Sequence, residues 1–264
     1  MVIHWHKMLQ AGMAYVMLGR SECLQDVYID KKDYDVSKIR CSPLAKNESD
    51  RLEEKAEERK YHTNFFESGY FYIGFINIQS LKAHWLDFQK DQSFQKCQMI
   101  GLCETWLEEE EEVELPDYDA AVVNVGRGQG IATFNNLHAK VVFKQGSRLL
   151  SIMALEFQQW LVIFIYASQN ASKAEIIANV ATLCKGTDSN TIILGDFNWN
   201  YLEEDNSLKK FFKETGFHQL VKNPTHELGG LLDHVYVRGE ECKISLLQKA
   251  RYYSDHDAVF LKIN

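Results

Sequence analysis

The sequence predicts an α/β protein. From Tyr70 to the C terminus, short apolar runs typical of strands alternate with helical patterns, giving ten strand candidates and three helix candidates. A chain of this kind is expected to pack its sheets face to face and to place its helices outside them. Hydrophobic residues make up 45% of the 264 residues and aromatic residues 12%, which is enough for a sizeable core.

The strand candidates are short apolar runs bounded by glycine or polar residues. The clearest is TIILGDFNWN (191–200), in which three large apolar residues lead directly into Gly-Asp-Phe-Asn. In chain order the strand candidates cover residues 70–77, 97–104, 120–125, 130–134, 139–143, 148–157, 160–166, 191–196, 233–237 and 258–263. Helical patterns occupy residues 81–96, 172–184 and 207–215.

A change of composition near residue 65 divides the chain. Residues 48–60 contain five Glu, one Asp, two Arg and two Lys, which is typical of a solvated helix or a linker. We therefore expect an N-terminal segment with a charged linker over residues 1–60 and one globular domain over residues 65–264.

Charge and composition argue against several classes of protein. The net charge of −8 has the wrong sign for a protein that binds nucleic acid by charge alone. The six cysteines form no C-x-x-C pair and no zinc spacing, as expected of reduced thiols inside the cell. No apolar run approaches the length of a membrane span, and the N terminus lacks the features of a signal peptide. We therefore expect an intracellular protein without a membrane segment.

Polar residues stand at the ends of several predicted strands, where α/β proteins gather their catalytic groups. Taken singly, a strand-end Asp or Asn often caps a turn, a tyrosine often belongs to the core, and a histidine is often structural. Taken together, these residue types suit metal and phosphate chemistry, because a buried carboxylate needs a cation or a donor. The set comprises Asn77, Glu104, Tyr166, Asp196, Asn198, Asp233, Asp255 and His256.

The same residues carry a resemblance to a known family. The ordered motifs NIQSL, CETWL, IYASQN, GDFN, LLDHVYV and SDH resemble the endonuclease/exonuclease/phosphatase superfamily, and most closely its endonuclease domains from mobile elements. The resemblance covers residues 70–264. It implies a DNase I-like α/β sandwich of two sheets, with helices on the outer faces and the site at one edge.

The resemblance also implies a divalent cation, Mg²⁺, for which Mn²⁺ would be a substitute. Glu104 would hold this cation, with Asn77 and Asp255 near it. Mg²⁺ keeps several waters and takes one or two protein carboxylates, which fits this set of ligands. The ion would neutralise charge on the scissile phosphate and on the leaving oxygen.

The remaining roles follow from the same resemblance. Asp196 would orient or deprotonate the attacking water, and Asn198 would position that water. His256, paired with Asp233, would either donate to a phosphoryl oxygen or act as the base, and the sequence does not decide between the two. Tyr166 would donate to the pentacoordinate phosphate.

Three features depart from the family pattern or leave a position open. Gln169 stands where the family often has Asn, with Asn170 next to it, and neither is included in the predicted site. The interval between Asp196 and Asp233 (233 − 196 = 37 residues) is short and predicts a trimmed substrate-binding loop or helix. Thr225 matches a phosphate-contacting position, but a plain turn residue is an equal alternative.

The N-terminal segment carries a second resemblance. Residues 12–29, GMAYVMLGRSECLQDVYI, resemble the last conserved motif of Pif-type helicases, with Arg20 at the arginine that would reach a nucleotide phosphate. A helicase remnant followed by an endonuclease is similar to the order found in Helitron-like transposon proteins. An amphipathic N-terminal helix is the alternative. The chain contains no G-x-x-x-x-G-K-[ST] loop, so we expect it not to bind ATP.

Three functional hypotheses follow. The first is a Mg²⁺-dependent DNA endonuclease of a mobile element, a nickase that leaves a 3′-hydroxyl. The second is a phosphatase or phosphodiesterase for a small phosphorylated substrate, which the acidic net charge favours. The third is a catalytically inert transposon-derived remnant. For the first, we expect a nuclear monomer that binds DNA weakly and with steep salt sensitivity.

Overall fold

The computed structural model describes residues 2–3, 28–29, 65–125, 129–186, 190–203, 207–239 and 244–264. Its contacts divide the chain into two units, Met1–Asn64 and Phe65–Asn264. In the first unit, β1 (Val2–Ile3) pairs in parallel with β2 (Tyr28–Ile29). Apart from that strand, the helicase-like segment lies outside the described residues, and so does the charged stretch 48–60.

The second unit is built from strands with three short helices between them. Its strands are β3 (Phe71–Asn77), β4 (Met99–Cys103), β5 (Asp119–Asn124), β6 (Gly130–Asn135), β7 (Lys140–Gly146), β8 (Leu150–Phe157), β9 (Trp160–Ala167), β10 (Asn190–Asp196), β11 (His218–Gln219), β12 (Asp233–Arg238), β13 (Ile244–Lys249) and β14 (Ala258–Ile263). Its helices are α1 (Leu81–Lys90), α2 (Lys173–Leu183) and α3 (Ser207–Glu214). None of the helices in the described ranges is long and apolar enough to cross a membrane.

All ten predicted strands and all three predicted helices form, with two corrections. The helix predicted over 81–96 ends at Lys90, because Asp91 turns to an extended conformation and its carboxylate accepts the backbone N–H of Ser93 at 2.9 Å. A 3₁₀ turn, Phe94–Lys96, follows. Strands β11 and β13 were not predicted, since β11 has two residues and β13, at a sheet edge, lacks a clear apolar alternation.

The strands form two mixed sheets of six strands each. Sheet I has the order β13-β14-β3-β4-β6-β5, and sheet II has the order β11-β12-β10-β9-β8-β7. Within sheet I only β3 and β4 run parallel, and within sheet II only β9 and β10 do. In each sheet a helix-containing crossover connects that parallel pair, as parallel strands require.

The two sheets pack face to face, and the helices cover their outer faces, as predicted. Alternate residues of each central strand enter the core between the sheets, such as Ile192 and Leu194 of β10, while Ile193 packs on the outer side. Ile176 and Val180 of α2 lie four residues apart, on one side of the helix, and cover sheet II together with α3. Helix α1 covers sheet I.

Gly101 in β4 allows close packing between the sheets. A Cβ at this position would lie 2.1 Å from a ring carbon of Phe164 in β9, far inside van der Waals contact. We expect Gly101→Ala to lower the free energy of unfolding by about 1–3 kcal/mol, the usual cost of overpacking a core. Urea denaturation measures the change.

Gly230→Ala is the matched control for this substitution, since its Cβ would come no closer than 3.3 Å to a flexible methyl of Leu232. Equal stability of the Gly101 and Gly230 variants would contradict the packing argument.

Candidate active site

The candidate site forms at the ends of four strands. There the side chains that point between the two sheets change from apolar to polar. Asn77, Tyr166 and Asp196 stand two residues beyond apolar core residues of β3, β9 and β10, so the period of two aims them between the sheets. Asp233 opens β12 directly opposite Asp196 in the ladder, and Tyr166 pairs with Asp196 on the other side. All four side chains are buried. The alternation of the strands thus brings together polar groups from distant parts of the chain.

Asp196 is held by amide donors on both of its oxygens. Its Oδ1 accepts the backbone N–H of Asn198 at 2.8 Å. Its Oδ2 accepts Nδ2 of Asn77 at 2.9 Å and Nδ2 of Asn198 at 3.2 Å. Burial and the neighbouring carboxylate of Asp233 raise the pKa of Asp196 to about 7, although these donors and His256 act to lower it. The carboxyl group therefore exchanges its proton near neutral pH.

His256 is oriented by Asp233. Its Nδ1–H donates to Oδ2 of Asp233 at 2.8 Å, and its Nε2 faces Oδ2 of Asp196 at 4.0 Å and Oδ1 of Asp255 at 3.8 Å. Burial lowers the pKa of His256, but the carboxylates of Asp233, Asp196 and Asp255 outweigh burial and raise this pKa to about 10. At neutral pH His256 is therefore a cation with both of its ring nitrogens protonated.

Glu104 and Tyr166 form a second pair. The hydroxyl of Tyr166 donates to Oε1 of Glu104 at 3.2 Å. Burial, with the nearby charge of Glu104, raises the pKa of Tyr166, so its hydroxyl stays protonated. Glu104 follows β4 beside the end of β3, because Asn77 pairs with Cys103 across the ladder. The pair therefore lies next to the Asp196 cluster.

The backbone is strained at the ends of the strands that carry these residues. Among the described residues, eight non-glycine residues have positive φ, and five of them follow β3, β4 or β10. These five are Gln79, Ser80, Glu104, Trp106 and Asn198. The loops that follow β3 and β4 hold each other in this positive-φ conformation. For example, the N–H of Ser80 donates to the Glu104 carbonyl at 2.9 Å. Such strain is commonly concentrated at functional sites.

Three further residues brace the site, and the sequence analysis did not assign them this role. The hydroxyl of Ser254 donates to the Asn77 carbonyl at 2.6 Å and accepts the N–H of His256 at 3.0 Å, tying two loops together. Oγ1 of Thr225 accepts the N–H groups of Leu232 and Asp233, which favours the turn alternative for this buried residue. His226 lies beside Asp255, its Nε2 being 3.5 Å from Oδ2. Thr225 could be noticed from the sequence as a possible phosphate contact and Ser254 as part of the SDH motif, whereas no sequence signal points to His226.

The donor set fits a divalent cation. Oδ1 of Asp233 and Oδ1 of Asp255 are buried and have no hydrogen-bond partner among the described residues, and a carboxylate oxygen of this kind is a ligand that a hard cation prefers. Two groups of described acidic and histidine side chains lie close enough to share an ion, and in both the carboxylates would be the ligands because His256 is protonated. The two groups are Asp196–Asp233–His256 and His226–Asp255–His256. The ligand set of Glu104, Asn77 and Asp255 stays a prediction.

Comparison with known proteins places this geometry in a family. Residues 77–256 match the model described as the Endonuclease/Exonuclease/phosphatase family. No curated protein matches the sequence. The fold is similar to those of several solved structures at 14% sequence identity, each of which covers 74% of this chain.

Three of these structures are informative. The endonuclease domain of TRAS1, a telomere-specific non-LTR retrotransposon, is covered over 98% of its length with a TM-score of 0.57. The 3′ phosphatase NExo from Neisseria, bound to product DNA hairpin, is covered over 99% with a TM-score of 0.59. An AP endonuclease from Archaeoglobus fulgidus is covered over 99% with a TM-score of 0.57. At this identity the similarity shows the fold alone.

The raised pKa of His256 predicts a loss of stability at alkaline pH. The pKa is about 10 in the folded protein and about 6.5 in an unfolded chain. The stabilising contribution is therefore complete below about pH 6.5 and is lost as the pH rises through about 10. While only the folded state holds the proton, the free energy of unfolding should fall by about 1.4 kcal/mol per pH unit. Urea denaturation in EDTA between these pH values measures the slope.

Other groups also titrate in this range, so the slope is compared with those of two variants. His256→Gln should remove the contribution of His256, whereas His218→Gln, at an exposed histidine of β11, should leave it in place. A His256→Gln slope equal to the wild-type slope would show that this histidine is not protonated in the folded state.

Proposed function

Because the chain belongs to the endonuclease/exonuclease/phosphatase family, we propose that it is a divalent-metal-dependent phosphodiesterase that nicks DNA and leaves a 3′-hydroxyl. The observation that carries the proposal is the buried Asp196 carboxyl, which two asparagines hold opposite a histidine oriented by Asp233. Asp196, a proton acceptor, and His256, a cationic donor, thus lie next to each other where the loops begin.

Asp196 is the general base of the proposed reaction. A pKa of about 7 suits a base that works at neutral pH. The oxygen of a water molecule forms a bond to phosphorus while the proton of that water passes to Asp196. The bond from phosphorus to the 3′ oxygen breaks, and the departing oxygen takes a proton from solvent water to become the 3′-hydroxyl. Asn198, whose amide lies against Asp196 in the same loop, positions the water.

His256 is the donor to a phosphoryl oxygen. Its Nδ1–H is engaged by Asp233, so the protonated Nε2 is the atom that reaches into the site. A positive charge fixed there stabilises the negative charge that develops on the phosphoryl oxygens. The alternative in which His256 is the base receives less support, because its raised pKa keeps it protonated at neutral pH.

Glu104, Asn77 and Asp255 would hold the cation. When bound, the ion supplies charge neutralisation at the phosphate and at the leaving oxygen. Tyr166, which contacts Glu104 through its hydroxyl, keeps its proton at neutral pH and would be the donor to the pentacoordinate phosphate that the family resemblance implies. Mg²⁺, or Mn²⁺ in its place, suits carboxylate and amide oxygens.

Exposed aromatic side chains favour DNA over a small phosphate. Trp106 is 48% exposed two residues after Glu104, and Tyr252 is 85% exposed three residues before Asp255. Aromatic rings can stack on unpaired bases, a contact that a small phosphate does not use. The acidic residues 108–112 in the same loop as Trp106 repel phosphates, which supports weak binding of DNA.

The acidic net charge favours the small-substrate alternative, and the complete set of site residues argues against an inert remnant. The proposal has four further parts: an origin in a mobile element, a helicase remnant over residues 1–60, a monomeric state and a nuclear location. The sequence motifs support the mobile-element origin and the helicase remnant, and a DNA substrate supports the nuclear location.

Supercoiled plasmid tests the proposed activity. We expect Mg²⁺-dependent nicking that EDTA abolishes and that Glu104→Gln reduces by about 100-fold or more, since the substitution removes charge where the phosphate is neutralised. Glu109→Gln, in the acidic stretch, is the matched control and should keep its activity. Equal nicking by the Glu104 variant and the wild type would remove the role of this carboxylate.

Replacement of the exposed aromatic residues separates the two substrate classes. Trp106→Ala and Tyr252→Ala should each raise the KM for DNA with an unpaired segment by about 5- to 100-fold, the value of one stacked base. Turnover of a small phosphodiester should not change. Leu86→Ala, at an exposed position of α1, is the control. An unchanged KM for DNA in both aromatic variants would favour a small substrate.

A further inference from the structure

His226 is held in one tautomer by its own turn. The backbone N–H of Leu228 donates to Nδ1 of His226 at 3.1 Å, so Nδ1 is an acceptor and the ring proton lies on Nε2. The turn is closed by the N–H groups of Thr225 and His226, which both donate to the Gly230 carbonyl. The direction of the imidazole is therefore set by the backbone and does not depend on a ligand.

The turn is fastened to the loop that carries the SDH motif. The N–H of Glu227 donates to the Asp255 carbonyl at 2.9 Å, and the N–H of Asp257 donates to the Thr225 carbonyl at 2.7 Å. The imidazole of His226 packs edge-on against that of His256, with the ring centroids 4.7 Å apart. These contacts fix the position of Nε2 of His226 relative to Asp255 and His256.

The arrangement makes the two oxygens of Asp255 unequal. Oδ2 lies 3.5 Å from Nε2 of His226, the ring nitrogen that carries the proton. Oδ1 is buried, has no hydrogen-bond partner among the described residues, and lies on the side of His256. An N–H group on one oxygen restricts rotation of the carboxylate and leaves the other oxygen directed at the site.

We propose that His226 is a positioning residue that holds Oδ2 of Asp255, so that Oδ1 is presented to the divalent cation. This inference rests on the proposed function, in which Asp255 is a metal ligand. His226 itself is a poor ligand, because binding through Nε2 would move its proton to Nδ1, against the N–H of Leu228. It acts on the cation through Asp255.

Direct binding of Mn²⁺ to the full chain, followed by electron paramagnetic resonance of the free ion, tests the proposal without relying on catalysis. His226→Ala should raise the Kd for Mn²⁺ by about 10- to 100-fold, the usual effect of losing a residue that orients a ligand. His226→Gln should recover much of the affinity, since its amide N–H can replace Nε2–H. His218→Ala, at an exposed histidine, should bind as the wild type does.

A double-mutant cycle separates positioning from a general effect on folding. In an Asp255→Ala background, His226→Ala should cause no further loss of Mn²⁺ affinity, because the group it positions is gone. An unchanged Kd in His226→Ala, or an equal loss in both backgrounds, would overturn the inference. Should His226→Ala fail to fold, the same cycle with His226→Asn gives the answer, since Asn retains an acceptor near Nδ1 and lacks the donor at Nε2.

Failure of the proposed function gives a different result. A chain that binds Mn²⁺ with an affinity dependent on Asp255 and His226, but that nicks no plasmid, would keep the positioning role and refute the nuclease. A chain whose Mn²⁺ affinity does not depend on Asp255 would refute the positioning role even if plasmid is nicked.

Discussion

The burial of the Asp196 carboxylate between two sheets is the constraint on which the site depends. An unpaired carboxylate in this position would cost several kcal/mol, so the protein must surround it with donors and with positive charge. Asn77 and Asn198 supply the donors, and His256 supplies the charge. His256 in turn requires Asp233 to hold its ring. The groups needed to keep one buried acid in the fold are those expected to act on a phosphodiester.

The sandwich supplies this constraint by its geometry. Each strand alternates between the inner core and an outer layer, and the inner rows run to the edge at which loops replace the sheet. A polar residue that continues an inner row is buried near this edge, as Asp196 and Asp233 are. The parallel pairs β3–β4 and β9–β10 direct their carboxyl ends to this edge, and β12 and β14 begin there. The fold therefore provides desolvated acids at the edge where the loops begin.

Much of this could be predicted from the sequence, for identifiable reasons. Strands such as TIILGD are recognisable in the sequence because they are short, continuous apolar runs. Helices such as α2 are recognisable because their apolar residues recur on one side. Strand β13 is not recognisable, because at a sheet edge the packing does not require apolar and polar residues to alternate. Helix α1 ends earlier than predicted, because Asp91 is held not only by Ser93 but also by Tyr253 and Arg251 from the far end of the chain, which the local pattern does not contain.

The site, like the fold, has features that the sequence predicts and features that it leaves open. The sequence offers Asn77, Glu104, Asp196, Asp233 and His256 as candidates because polar residues of suitable types follow several strands together and in the order of a known family. Their catalytic roles stay predictions. The sequence left open whether Asp196 or His256 is the base, because a pKa depends on burial and on charges brought from elsewhere in the chain. It also gives no role to His226 or to Ser254 of the SDH motif, because their roles depend on partners brought from other segments of the chain.

The sequence by itself determined the α/β class, the two-period of the buried strands and the chemical types of the groups at their ends, because these are local properties of short segments. Only the tertiary structure decided which acid is neutralised by which base, which oxygen of Asp255 is left without a partner, and which histidine is a cation. Those are properties of distances across the sheets, between residues more than one hundred positions apart in the case of Asn77 and Asp196. Electrostatic energies depend on such distances and on burial, and no run of neighbouring residues contains them.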